Sequence, residues 1–292
     1  MIPFQLHRRI PLIRRPFYQR DKAIAERDAA LAELNKAATD TLSIAAERDA
    51  LLEERSTLEE NLAEAARRDP LPPYDFDNDG MKLWDKNLKS LSDPRFVAAY
   101  QASANSAVPI QFRAYVCCWA AAQAAKLEGD FVECGVNEGW LSLTICRYLD
   151  FNSLKKSFYL FDTYNGIPQE QITEREAYRA ALHHYPDCFE KVKNSFSEFT
   201  NAKLVRGKIP DTLNNVAIDK VSYLSIDMNI EKPERAAIEF FWPKMPIGGI
   251  VVLDDYAFGG YEAQHDSMDE FASKVGATIL TLPTGQGLII KA

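Results

Sequence analysis

The chain has 292 residues, a formal net charge of −8 and 47% hydrophobic residues, enough for one large core plus an appendage. The acidic balance argues against a nucleic-acid partner, which needs a clustered positive face, and favours a small-molecule or glycan acceptor. The five cysteines, Cys117, Cys118, Cys134, Cys146 and Cys188, show no CxxC or His-Cys spacing and read as buried thiols of a reducing compartment.

The opening stretch to Arg20 interleaves Arg8, Arg9, Arg14, Arg15 and Arg20 with Ile10, Leu12, Ile13, Phe17 and Tyr18, while Pro3, Pro11 and Pro16 block a long helix. Residues 1–20 therefore read as a basic, partly apolar arm, either docking on an anionic membrane surface or a partner, or forming a disordered tail. From Asp21 to about Asp69 strong helix formers dominate without Pro or Gly, so one long helix is expected. Its block AERDA at Ala25 returns at Ala46, 21 residues later, which is three heptads. The apolar seam is alanine-rich. A coiled coil making a homo-oligomer is the leading reading, with a helix packed on its own domain or a solvated single helix as alternatives. No stretch of roughly 18 to 20 apolar residues that could span a bilayer is present. A secretory signal is also missing at the start, so cytoplasmic residence is expected, extending to the inner membrane face if the arm docks there.

Asp69-Pro70-Leu71-Pro72-Pro73 stops the helix, which places a catalytic domain at 70–292. A helix is expected over Val108–Lys126. From Gly129 onward, β-rich runs at Phe131–Val136, Ser157–Asp162, Ala202–Gly207, Val221–Asp227 and Gly249–Asp255, then ATILTL and GLIIK, alternate with helical runs. The helical runs centre on Leu141–Leu149, Glu190–Phe199, Pro233–Trp242 and Tyr261–Val275. Such alternation specifies an α/β, doubly wound, Rossmann-like sheet covered on both faces, with ligands at the carboxyl ends of its strands.

Those ends carry the chemistry. The first strand runs into Glu133-Cys134-Gly135-Val136-Asn137-Glu138-Gly139 and a helix start, a turn that lets a ligand approach the backbone. The spacing is GxxxG and not GxGxxG, so a nicotinamide cofactor is disfavoured; a plain strand-helix turn explains the same residues. Asp162, at the tip of the second strand, can accept from the ribose hydroxyls of an adenosyl group, and Gly207 after the third can let adenine lie on the main chain. A solvated Asp and a turn glycine are the simpler readings. Asp227 at the tip of the fourth strand converges with Asp254 and Asp255 at the tip of the fifth, and three such carboxylates call for a hard cation such as Mg²⁺. Alternatively, Asp255 caps the next helix and Asp227 is a turn residue.

Taken together, GDFVECGVNEGW, LFDTYNGIP, KLVRGKIPDTL, LSIDMNIEKPERAAIEFFWPKMPIGGIVVLDDY and LPTGQGLIIK resemble the macrocin O-methyltransferase type of S-adenosylmethionine- and magnesium-dependent sugar methyltransferases. The resemblance covers about Arg95 to Ala292. It implies that Glu133, Gly135, Asn137, Gly139, Ser142 and Asp162 surround S-adenosylmethionine and that Asp227, Asp254 and Asp255 hold the metal. Where that family shows DxDxYE, this chain reads Asp227-Met228-Asn229-Ile230-Glu231, losing one charge. The implied reaction is methyl transfer to a hydroxyl of a sugar or glycosylated small molecule, with Asp227 as first choice of proton acceptor and His265 as second. His183 and His184 sit in a charged helical insertion, QEQITEREAYRAALHHY, expected to close over the acceptor; they can touch substrate or simply be exposed. The rival readings are a metal-dependent hydrolase on a similar sheet and a coiled-coil scaffold whose methyltransferase-like domain is degenerate.

Overall fold

The computed structural model describes residues 76–83, 85–104 and 108–292, together with Ile24, Leu52, Glu53 and 55–60 of the amino-terminal part. The chain divides into two compact units, Met1–Pro73 and Tyr74–Ala292. In the first, the described residues are helical, with Thr57 Oγ1 donating to the Glu53 carbonyl. The expected basic arm and all of the apolar seam except Ile24, Leu52 and Leu58 lie outside the described residues.

In the second unit a hairpin, β1 (Phe76–Asn78) and β2 (Met81–Leu83), precedes α1 (Pro94–Ser103) and α2 (Gln111–Ala124). Asp93 caps α1 by accepting from Arg95 N, and Pro94 occupies the first turn, where a missing N–H costs nothing. The remaining elements are β3 (Asp130–Cys134), α3 (Trp140–Leu149), β4 (Phe158–Asp162), α4 (Ala177–Ala180), α5 (Phe189–Ser195), β5 (Ala202–Arg206), β6 (Val221–Ile226), α6 (Glu231–Phe241), β7 (Ile250–Leu253), α7 (Glu262–Val275), β8 (Leu280–Thr281) and β9 (Gly287–Ile290).

Seven strands form one sheet in the order β5-β4-β3-β6-β7-β9-β8, parallel from β5 through β7, with β9 antiparallel to β7 and β8 antiparallel to β9. Each strand's alternation feeds two cores. Phe131, Phe158, Leu160, Tyr223 and Val252 pack toward α1, α2, α3 and α5. Val132, Phe161, Leu224, Ile226 and Val251 meet Ala237, Ile238 and Phe241 of α6 and Met268 and Phe271 of α7. Because both faces are covered, β6 is buried at every residue, which is why the strands read as near-continuous apolar runs.

The strand order reverses between β3 and β6, the switch point where a crevice opens outside the carboxyl ends. Most expected elements appear within a residue or two of their limits. The helix expected over Val108–Lys126 starts at Gln111 and the one expected over Glu190–Phe199 stops at Ser195; the insertion, expected to be largely helical, contains a 3₁₀ turn at Gln169–Gln171 and only four α-helical residues in α4. Tertiary ties replace helix propensity there. Gln171 Nε2 donates to the Ile209 carbonyl at 2.6 Å, and the buried Glu176 carboxylate accepts from Thr173 N at 3.0 Å and from the Glu231 amide that opens α6. All five cysteines are buried and free. Among the described residues no helix is long and apolar enough to cross a membrane.

Candidate active site

At the switch point the main chain itself shapes the site. Gly135 has φ 88°, and a Cβ there would fall 1.8 Å from the Asp227 carbonyl oxygen, so only glycine lets the β3 and β6 tips lie this close. The loop after Gly135 is clasped by Asp162, whose Oδ2 accepts from Val136 N at 2.6 Å and Asn137 N at 2.7 Å. Its Oδ1 accepts from Tyr164 N at 2.6 Å. The carboxylate read as a ribose acceptor is thus already engaged by three main-chain donors and holds the two loops in register.

Beneath the loop lies Glu133, 2% exposed, with Oε2 making no hydrogen bond. Burial pushes its carboxyl up to about 8; the nearby Ser142 opposes the rise, while Asp254 and Asp162 add to it. Ser142 Oγ on α3 is likewise buried without a partner. Gly139 opens α3 in the left-handed region and packs under Phe196. A cavity of about 110 Å³ opens above, lined among others by Gly135, Asn137, Asp162, Gly207 and Asp227.

Of the three aspartates, Asp227 lines the cavity and Asp254 and Asp255 do not. Ile226 of β6 is in register with Leu253 of β7, so the residues that follow, Asp227 and Asp254, end neighbouring strands, and Asp254 N donates to the Ile226 carbonyl at 3.0 Å. Burial and the charges of Asp254 and Asp255 drive the Asp227 carboxyl far above its ordinary value. Burial and Asp254 push Asp255 up to about 7, opposed by Arg113 and Arg179. The expectation of carboxylates without counter-charge needs revision at Asp254. Its Oδ2 accepts from Arg113 Nη1 at 2.8 Å and its Oδ1 from Gln286 Nε2 at 2.9 Å. Arg113 also donates through Nε to Asp79 Oδ1 at 2.9 Å, and its main-chain N–H to Asp79 Oδ2 at 2.7 Å. The hairpin residue Asp79 thereby fixes the first turn of α2 and the guanidinium that neutralises Asp254.

Among the described residues no group of three His, Cys, Asp or Glu side chains has metal-binding spacing. Asp227 and Asp255 nevertheless retain oxygens that no donor engages, and Mg²⁺ is commonly held by one or two carboxylates with water completing its shell. Asn229 adopts φ 63°, a region Asn tolerates, and Glu234 holds its loop by accepting from Met228 N at 3.0 Å.

His265 is placed differently from its expected role. Its Nδ1 faces the Tyr256 carbonyl at 2.9 Å, its ring stacks on Tyr256 at 4.3 Å, and its Nε2 lies 3.4 Å from Asp269; it does not line the cavity. His183 in the insertion is joined instead through Tyr261 and Asn229 to Asp227. His184 is exposed. Sequence reasoning missed Arg113, Asp79 and Gln286, although a lone arginine inside the apolar helix QFRAYVCCWAAA is itself a signal of a buried pair.

The profile of the macrocin-O-methyltransferase (TylF) family matches residues 111–278, more than half of the chain. The chain belongs to the macrocin O-methyltransferase family. Among similar proteins are the demethyldecarbamoylnovobiocin O-methyltransferase of Streptomyces niveus, 25% identical over 50% of this chain and 62% of that one. Another is the 8-demethyl-8-(2,3-dimethoxy-alpha-L-rhamnosyl)-tetracenomycin-C 4'-O-methyltransferase of Streptomyces olivaceus, 23% identical over 51% of this chain and 59% of that one. The chain thus spans about six-tenths of the length of these curated relatives. The solved structure of the O-methyltransferase NovP matches with a TM-score of 0.55 at 20% identity, over 68% of this chain and 88% of that one, which establishes the Rossmann-like methyltransferase fold. The family match begins at Gln111 and takes in Arg113, the three aspartates, Glu133 and the insertion.

Proposed function

We propose that this macrocin O-methyltransferase family member transfers a methyl group from S-adenosylmethionine to a hydroxyl of a sugar or glycosylated small molecule, assisted by a divalent cation. The observation that carries the reading is the buried Glu133 carboxylate, whose Oε2 has no hydrogen bond, beneath a glycine loop and within electrostatic reach of the strand-tip residues Asp227 and Asp254. A carboxyl raised to about 8 by burial gains most from a cationic partner, and the α-ammonium of S-adenosylmethionine is such a group. Gly135, Asn137, Gly139, Ser142 and Gly207 would shape the pocket around the cofactor, with Asp162 fixing the loop more than meeting the ribose. S-adenosylmethionine supplies an electrophilic sulfonium methyl, and Mg²⁺ would lower the pKa of the acceptor hydroxyl.

The protein's own part is positional and electrostatic. Asp227 and Asp255 would hold the cation, with Asp254 fixed beside them by Arg113 and Gln286. The insertion, tied to α6 and to Ile209, walls the cavity with Ile167, Pro168 and Tyr185 and limits water access. The novobiocin and rhamnosyl substrates after which these relatives are named favour a glycoside acceptor. A cytoplasmic setting, self-association through the helical stalk and membrane contact through the arm complete the proposal.

The test is transfer of labelled methyl to demethyldecarbamoylnovobiocin and methyl α-L-rhamnoside within a wider glycoside panel, with and without Mg²⁺ and EDTA. Mg²⁺-dependent labelling of a glycoside hydroxyl is expected. Failure to bind S-adenosylhomocysteine by calorimetry would reject the cofactor assignment, and EDTA-insensitive turnover would reject the metal.

A further inference from the structure

Behind the cavity wall the hydrogen bonds run in one direction. Asn229 Nδ2 donates to Asp227 Oδ1 at 3.3 Å, which leaves Asn229 Oδ1 to accept from the Tyr261 hydroxyl at 2.8 Å. A phenol carries a single proton, so the Tyr261 oxygen faces the His183 Nε2 atom, 2.6 Å away, as an acceptor. His183 therefore holds its proton on Nε2, and its Nδ1 lone pair meets the Tyr185 hydroxyl at 3.0 Å. The imidazole is stacked on the Tyr185 ring at 5.3 Å and 8°. Tyr185 lines the cavity together with Asp227 and Asn229.

We propose that Tyr185 is a catalytic residue that receives the acceptor's hydroxyl proton, and that His183 is the positioning residue that polarises it and stores the charge. The proposal rests on the methyl-transfer reading above. As the acceptor oxygen bonds to the methyl carbon, the carbon–sulfur bond breaks and its electron pair stays on sulfur. The hydroxyl proton moves to the Tyr185 oxygen, and the proton of Tyr185 moves to His183 Nδ1. The imidazolium, still donating through Nε2 to Tyr261, later releases a proton to solvent. This route uses a residue that carries no cation, and it gives Asn229 a function: an amide at this position orients Tyr261 without competing for the proton.

The groups facing the pair are Arg179 and Tyr185 from the insertion and Tyr261 at the start of α7. Asp227 and Asp255 act on the phenols, and the Arg179 guanidinium lies 4.8 Å over the Tyr261 ring. Burial, with Arg179 second, holds His183 below the ordinary imidazole range, so it is neutral and able to accept at pH 7. Burial, followed by the charges of Asp227 and Asp255, raises Tyr185 and keeps it a phenol in the resting state.

Two measurements test the proposal. Long-range ¹⁵N NMR of the full chain, with no donor or acceptor added, reads the tautomer. An Nε2–H ring titrating below the ordinary histidine range is expected, and an Nδ1–H ring overturns the hydrogen-bond order. Turnover with S-adenosylmethionine and the glycoside panel reads its use. Tyr185→Phe and His183→Gln are expected to lower kcat by about 100-fold, with KM and S-adenosylhomocysteine affinity little changed. In His183→Gln the acid limb of the kcat–pH profile is expected to vanish. Wild-type kcat in both variants, or a reduced kcat with the acid limb intact, rejects the role. A wild-type protein that methylates no hydroxyl while showing the stated tautomer rejects the methyl-transfer reading, and the role with it, but leaves the hydrogen-bond order standing.

Discussion

Replacing Arg113 by Met removes the guanidinium while keeping much of the side chain's length and apolar volume. In the native protein that group is 18% exposed and bridges two carboxylates, Asp79 and Asp254, whose side chains are 2% and 3% exposed. Removing one partner of a buried ion pair costs about 3 to 5 kcal/mol, because the charge left behind has lost its compensation without regaining water. The loss has a pH signature. Burial already raises Asp79, and Arg113 is the main influence holding it down, so the variant's Asp79 rises further. A carboxyl raised in the folded state destabilises increasingly as pH climbs from the unfolded value toward the folded one. The deficit of Arg113→Met is therefore largest at pH 7 and shrinks toward pH 4, where the folded carboxyl is protonated and the unfolded one about half so. Urea denaturation at pH 7 and pH 4.5 measures it, alongside a fall in melting temperature of about 6 to 20 °C at neutral pH. A deficit under about 1 kcal/mol at pH 7, or one independent of pH, would refute the claim that Arg113 neutralises a buried carboxylate pair.

Glu133→Gln is expected to weaken S-adenosylhomocysteine binding by about 10- to 100-fold, as calorimetry at pH 7 would show, through loss of the ammonium's partner. The same variant should flatten the pH dependence of ligand-free stability between about 4.5 and 8, since native Glu133, raised to about 8, destabilises the fold progressively across that window. Unchanged affinity would place the cofactor elsewhere. Gly135→Ala forces a methyl group toward the Asp227 carbonyl, 1.8 Å from an ideal Cβ, and also strains a left-handed φ. The expected result is a loss of about 3 kcal/mol or more in thermal denaturation, together with S-adenosylhomocysteine binding. A variant that folds and binds like the native chain would show that the β3 and β6 tips do not need this close approach.

The covering of both sheet faces made the fold legible. Val221 to Ile226 and Ile250 to Leu253 are buried at every position, with only Ser222 and Ser225 polar, because each faces a helix layer on one side or the other, and the turn residues between them punctuate the alternation. The strand tips were legible for the same reason, since consecutive aspartates after Leu253 have to emerge from a buried strand into the crevice. The insertion was less so: helix formers in AYRAAL suggest a longer helix than the four residues present, because ties from Gln171 and Glu176 outweigh local propensity.

By itself the sequence determined the mostly parallel sheet and the placing of Asp227, Asp254 and Asp255 at the ends of neighbouring strands, since both follow from periodicity and chain order. Only the tertiary structure decided which charges meet. Arg113 and Asp254 stand 141 positions apart, His183 and Tyr261 78 apart, and Tyr261 and Asn229 32 apart. Hydrogen bonds of a few ångströms between such distant residues depend on where whole helices and loops come to rest, and no local pattern of residue types records that.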